Sequence, residues 1–82
     1  MSLRLLGIAQ TRSISRLVRI DALTEVDCAI DSDQLPEEDG FDLWIGAVGP
    51  IRSSVAERQH ARAVITFETP LESAVVSHFL AP

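Results

Sequence analysis

ARAVITFETPLESAVVSHFL, residues 61–80, reads as a buried strand, a sharp turn and an amphipathic helix. Ala61, Ala63, Ile65 and Phe67 alternate with Arg62, Val64, Thr66 and Glu68, the period of two that a single buried sheet face imposes. Thr69, Pro70, Leu71 and Glu72 follow. They supply a capping hydroxyl, a proline whose fixed φ suits the first helical position, and a carboxylate that reaches back to the cap amide. The spacing therefore predicts a helix that opens at Thr69 and Pro70. Along it Leu71, Ala74, Val75, His78 and Phe79 form one arc toward the core, with Ser73 and Ser77 on the wet side. Val76 and Leu80 fall outside that arc and make a second apolar stripe, which reads either as loop-covered or as a partner surface.

Upstream, Leu3 to Gln10 and Ile14 to Leu23 read as two strands joined by the short polar link Thr11, Arg12 and Ser13. In the second, Ile14, Val18, Ile20 and Ala22 share a face broken by Arg16. The first carries apolar residues in both phases: Leu3, Leu5, Gly7 and Ala9 face one way, Leu6 and Ile8 the other. Such a strand is expected to be central in a sheet, or an edge that docks on another subunit. Val26, Cys28 and Ile30 then alternate with Asp27 and Asp31, a short strand with an acidic outer face. Cys28 is placed inward as a small apolar residue, since no neighbouring base or helix N-terminus is legible that would lower its thiol pKa.

From Asp31 to Asp42 the chain is dense in carboxylates and punctuated by Pro36 and Gly40, which places it on the surface. Asp31, Asp33 and Asp42 match the first, third and twelfth positions of a calcium-binding EF-hand loop. The match fails where Pro36 stands for the required Gly, Leu35 for an oxygen ligand and Asp42 for the bidentate Glu. The loop is read as solvated and acidic, with Asp33, Glu37, Glu38 and Asp39 as candidate contacts for a basic partner. Phe41, Leu43, Ile45 and Ala47 then point inward along a further strand and Trp44 points the other way. Trp44 is either a binding anchor on an open face or core beneath the terminal helix. Gly46, Gly49 and Pro50 lack the third glycine and the lysine of a phosphate loop. Two readings stand for residues 53–60: a short helix capped by Ser54 with Glu57, or a long hairpin pairing back on residues 43–51 with Ser53 and Ser54 at its tip.

The chain has 82 residues, 46% of them hydrophobic and 23% charged, the profile of one ordered domain rather than a disordered segment. A chain this short buries only about 60 to 65% of its unfolded surface, which makes added stability from association plausible. One cysteine excludes an intramolecular disulfide, and no Cys and His spacing fits structural zinc. No run is long enough for a signal h-region or a membrane span, so the expected location is intracellular or within an assembled particle. The net charge of −5 is divided along the chain. Residues 1–20 hold Arg4, Arg12, Arg16 and Arg19 without an acid, and residues 21–42 hold nine acids without a base.

These features predict an α+β domain spanning residues 1–82: about five strands, mostly antiparallel, with one C-terminal amphipathic helix packed on the sheet. The expected function is a non-enzymatic interaction or assembly module, a subunit of a homo-oligomer or larger particle, a class that includes phage structural proteins. Its candidate contacts are Trp44, Val76 and Leu80 with the basic Arg12, Arg16 and Arg19 and the acidic loop. A second reading is an acidic inhibitor that occupies a basic, nucleic-acid-binding site on a partner. Direct nucleic-acid binding is disfavoured by the charge and by few aromatics. An enzyme built on Cys28, His60 or His78 is disfavoured because no spacing brings them together. No cofactor, metal or small-molecule substrate is expected.

Overall fold

The computed structural model describes residues 5–31, 35 and 40–80. It contains six strands and one helix: β1 (Leu5–Gln10), β2 (Ser15–Leu23), β3 (Asp27–Asp31), β4 (Gly40–Ile45), β5 (Val48–Arg58), β6 (Arg62–Phe67) and α1 (Ser73–Leu80). The strands close into an antiparallel barrel in the order β1-β2-β3-β6-β5-β4, rather than an open sheet of five. Two three-stranded meanders, β1–β3 and β4–β6, meet edge to edge at the β1–β4 and β3–β6 seams. Each strand is paired on both sides, so β1 is not an edge awaiting a subunit.

The strand that the sequence leaves open, between a short helix and a hairpin pairing back on residues 43–51, is β5. Its inward positions are Ile51, Ser53 and Val55, and an apolar alternation interrupted by two serines looks like a loop or a cap. Ser53 is buried because its Oγ donates a 2.9 Å hydrogen bond to the Ile51 carbonyl, which satisfies the hydroxyl without a distant partner. Ser53 and Ser54 pair with both Phe41 and Gly40 on β4 and Phe67 and Thr66 on β6. They are neither a helix cap nor a hairpin tip. The β4–β5 turn lies instead at Gly46 and Ala47, where Gly46 has φ 59°. A positive φ at the first central residue alone is the pattern of a type II′ hairpin turn.

Inside the barrel, Val18, Ile20, Ile30, Phe41, Leu43, Ile45 and Ile65 are fully buried and fill the space, as expected of a small barrel. Bulges adjust the alternation. In β2 the register shifts between Ile20 and Ala22, so Leu23 turns inward and Ala22, expected inside, turns out. Leu35 is buried in the same core. Among the described residues no helix is long and apolar enough to cross a membrane.

The helix begins later than expected. The Leu71 amide donates to the Glu25 carbonyl at 2.7 Å and the Glu68 amide to the Arg52 carbonyl at 2.8 Å, which ties this stretch to the barrel. The first helical bond runs from the Val76 amide to Glu72, so Glu72 rather than Thr69 sits at the cap. The buried face is also rotated. Val76 is 7% exposed within the core and Phe79 packs beside it, whereas Ala74 and His78 face solvent. Burying Val and Phe removes more apolar area from water than burying Ala and His. Val76 is therefore a core residue, and only Leu80, 49% exposed, remains of the proposed outer stripe.

Two stability outcomes follow. Val76→Ala is expected to cost at least about 1 kcal/mol and Leu80→Ala much less, read by urea unfolding. A Cβ at Gly7 would lie 2.6 Å from the Trp44 carbonyl oxygen, across the β1–β4 seam. Gly7→Ala is expected to destabilise by about 1–3 kcal/mol in the same assay.

Candidate functional site: the outer face of β4, β1 and β2

The barrel's inner face uses one phase of each strand, and the other phase shows what remains for solvent or a partner. On β1 that phase is Leu6 and Ile8, 59% and 43% exposed, and on β2 it includes Leu17, 61% exposed. Registers bring them together. Ile8 lies opposite Leu17 on one side and opposite Trp44 on the other, and Leu6 lies opposite Arg19. Leu17, Ile8 and Trp44 thus form a cross-strand row with Leu6 directly beside it, within side-chain reach of one another.

Trp44 is half-buried on this outer face. Opposite it, β5 carries an extra residue between the pairs Leu43–Ile51 and Ile45–Val48, a bulge that contains Gly49 and Pro50. A Cβ on Gly49 would come within 2.8 Å of Trp44 Cδ2 and Cε3. The indole therefore packs against the glycine backbone, where a side chain would displace it. Polar groups rim the row: Gln10 pairs with Ser15 and Asp42, and Asp42 makes a 3.5 Å ion pair with Arg52. That pair is exposed on both sides and worth little by itself.

Of the residues expected to bind a partner, Trp44 joins this face. Arg19 is on its margin, opposite Leu6. Arg12 and Arg16 are exposed at the β1–β2 end of the barrel, and Leu80 is exposed on α1. Val76 is inside. Asp33, Glu37, Glu38 and Asp39 lie outside the described residues. Leu6, Ile8 and Leu17 were missed as contacts. For Leu6 and Ile8 the signal is apolar side chains in the opposite phase to Gly7 and Ala9, which reads as a central strand or an edge that docks on another subunit; Leu17, in the opposite phase to Val18 and Ile20, carries the same signal and has no reading there.

The nucleophile and base candidates do not converge. Cys28 is 2% exposed inside the barrel, and burial, with the Asp27 charge second, pushes its thiol up to about 12. His60 is exposed in the β5–β6 turn, whereas His78 is exposed on α1, edge-on to Phe79 at 5.5 Å. Three surface depressions, around Val64, Pro70 and Ser54, include none of these three residues. Among the described residues no group of three or more His, Cys, Asp or Glu could hold a metal ion.

Native Cys28 is expected to resist thiol reagents at pH 8 and to react once the chain is unfolded, measured by a chromogenic disulfide. Because its folded pKa, about 12, exceeds the ordinary 9.0, its contribution to stability is complete below pH 9 and declines as pH rises from 9 toward 12. A Cys28→Ala variant is expected to lose that alkaline decline in urea unfolding. Comparison with known protein families, with characterised proteins and with solved structures finds no match for this chain.

Proposed function

We propose that this chain is a non-enzymatic protein–protein interaction or assembly module, and that its contact surface is the outer face of β4, β1 and β2. The observation that carries the reading is the contiguous row of Leu17, Ile8 and Trp44 with Leu6. Scattered surface leucines need no explanation, whereas apolar residues gathered on one face by strand register are the usual mark of a docking site. The core does not require them, since the other phase of each strand already fills the barrel. An indole packed against the Gly49 backbone is also a side chain that binds with little further ordering.

A catalytic role lacks comparable support, because Cys28, His60 and His78 occupy the interior, a turn and the helix respectively. The apolar surface supports contact with a partner through burial more than through charge, so the association should persist when salt is raised.

The test is retention from an extract of the source organism on the immobilised chain, in low and high salt, with wild type against Leu17→Asp. Proteins held by wild type at high salt and lost at least about tenfold in the variant would support the face as the contact. Identical retention by both chains would remove it. Retention that vanishes with salt would favour the acidic reading instead.

A further inference from the structure

We infer that the occupant of this face is a second copy of the same chain, seated with its strands crossing the first at about a right angle. The inference rests on the reading of the face as a protein-binding surface and adds its partner. An isologous contact requires a face complementary to itself, and the charges beside the apolar row meet that requirement in one orientation. Around Ile8, Arg19 sits two residues beyond Leu17 on β2, and Asp42 sits two residues before Trp44 on β4. Since β2 and β4 both run antiparallel to β1, the two charges occupy diagonally opposite corners of the face.

Strand spacing of about 4.8 Å and a same-face repeat of about 6.7 Å make this outer grid rectangular, its two edges differing by about 2 Å, an offset that long side chains such as Arg span. A two-fold axis along the other diagonal then places Ile8 on Ile8, Trp44 over the second copy's Leu6, and Asp42 over the second copy's Arg19. Symmetry repeats the last two contacts. Orthogonal crossing is one of the two ways in which sheets pack face to face. In the aligned alternative, with the axis along β1, Asp42 meets Ser15 and Arg19 meets no acid, so charge selects the orthogonal form. Asp42 already has Arg52 nearby, and Arg19 has a contact within its own chain. An exposed pair such as Asp42 with Arg52 is weak enough to exchange.

A face three strands wide and six residues long covers on the order of 300 Å², against about 800 Å² for each partner in a standard interface. The dimer is therefore weak and concentration-dependent, suited to assemblies in which many copies add their contacts.

Sedimentation equilibrium of the purified chain between about 10 µM and 1 mM tests this, with far-ultraviolet circular dichroism as the folding control. The expected result is a reversible monomer–dimer equilibrium that Leu17→Asp abolishes and that Arg19→Asp and Asp42→Arg each weaken by about tenfold. Mixing the two charge variants should give a heterodimer close to wild type in affinity, because both corner pairs re-form, one with its native polarity and one reversed. A monomer at 1 mM overturns the second copy as occupant, while patch-dependent retention of a foreign protein would leave the broader reading standing. A dimer indifferent to Leu17→Asp, or charge variants that fail to complement, overturns it equally.

Discussion

The closure of β1 against β4 is the constraint on which the rest depends. Without it the two meanders would share only the β3–β6 seam, and two strands would expose unpaired amides and carbonyls, which fold poorly or recruit other chains. Close approach at the seam is permitted by Gly7, since any larger residue would meet the Trp44 carbonyl oxygen. The neighbouring inward residue is also small, Ala9. Small residues on β1 leave room for Ile20, Phe41 and Leu43 from the flanking strands, the small-against-large matching by which a narrow barrel is filled.

Closure also decides what the outside of the molecule can do. A sheet whose two edges are joined cannot accept an added strand, which leaves side chains on the outside of the molecule as the surface it presents. The two strands that make the seam, with β2 beside them, carry apolar residues in the outward phase: Leu6 and Ile8 on β1, Trp44 on β4 and Leu17 on β2. The seam thus sets the interior packing and gathers the outer row at once. Two features carry both roles, Gly7 by admitting the Trp44 backbone and Gly49 by admitting its ring.

The remaining elements are anchored to this frame. Phe67 and Leu71 donate backbone hydrogen bonds to Val26 and Glu25 in the β2–β3 turn, and the chain then enters α1 with Val76 already on the core. The interior reached in this way is dry enough to keep the Cys28 thiol neutral through the ordinary pH range. Among the described residues the buried polar side chain is Ser53, bonded to the nearby Ile51 carbonyl.

Much of the architecture was legible in the chain because it follows from local periodicity. Cys28 and Ile30 on β3, Phe41, Leu43 and Ile45 on β4, Ala63, Ile65 and Phe67 on β6, the β1–β2 hairpin and the outward direction of Trp44 all follow from alternation with a period of two, whereas Val26, Ala47 and Ala61, expected inward, lie exposed in the turns beyond the strand ends. Alternation failed where long-range pairing overrode it. In β5 the serines look like a cap until strands on both sides satisfy their backbone, and in β2 a bulge exchanges Ala22 for Leu23. The helix shows the same limit, since the barrel beneath takes Phe79 from the expected arc and Val76 from the second stripe. The sequence by itself determined which residues alternate and where charge is concentrated, because both are properties of neighbours along the chain. Tertiary structure alone decided that the sheet closes, that Val76 is inside, and that Leu6, Ile8, Leu17 and Trp44 share a surface, because each depends on registers between strands distant in sequence.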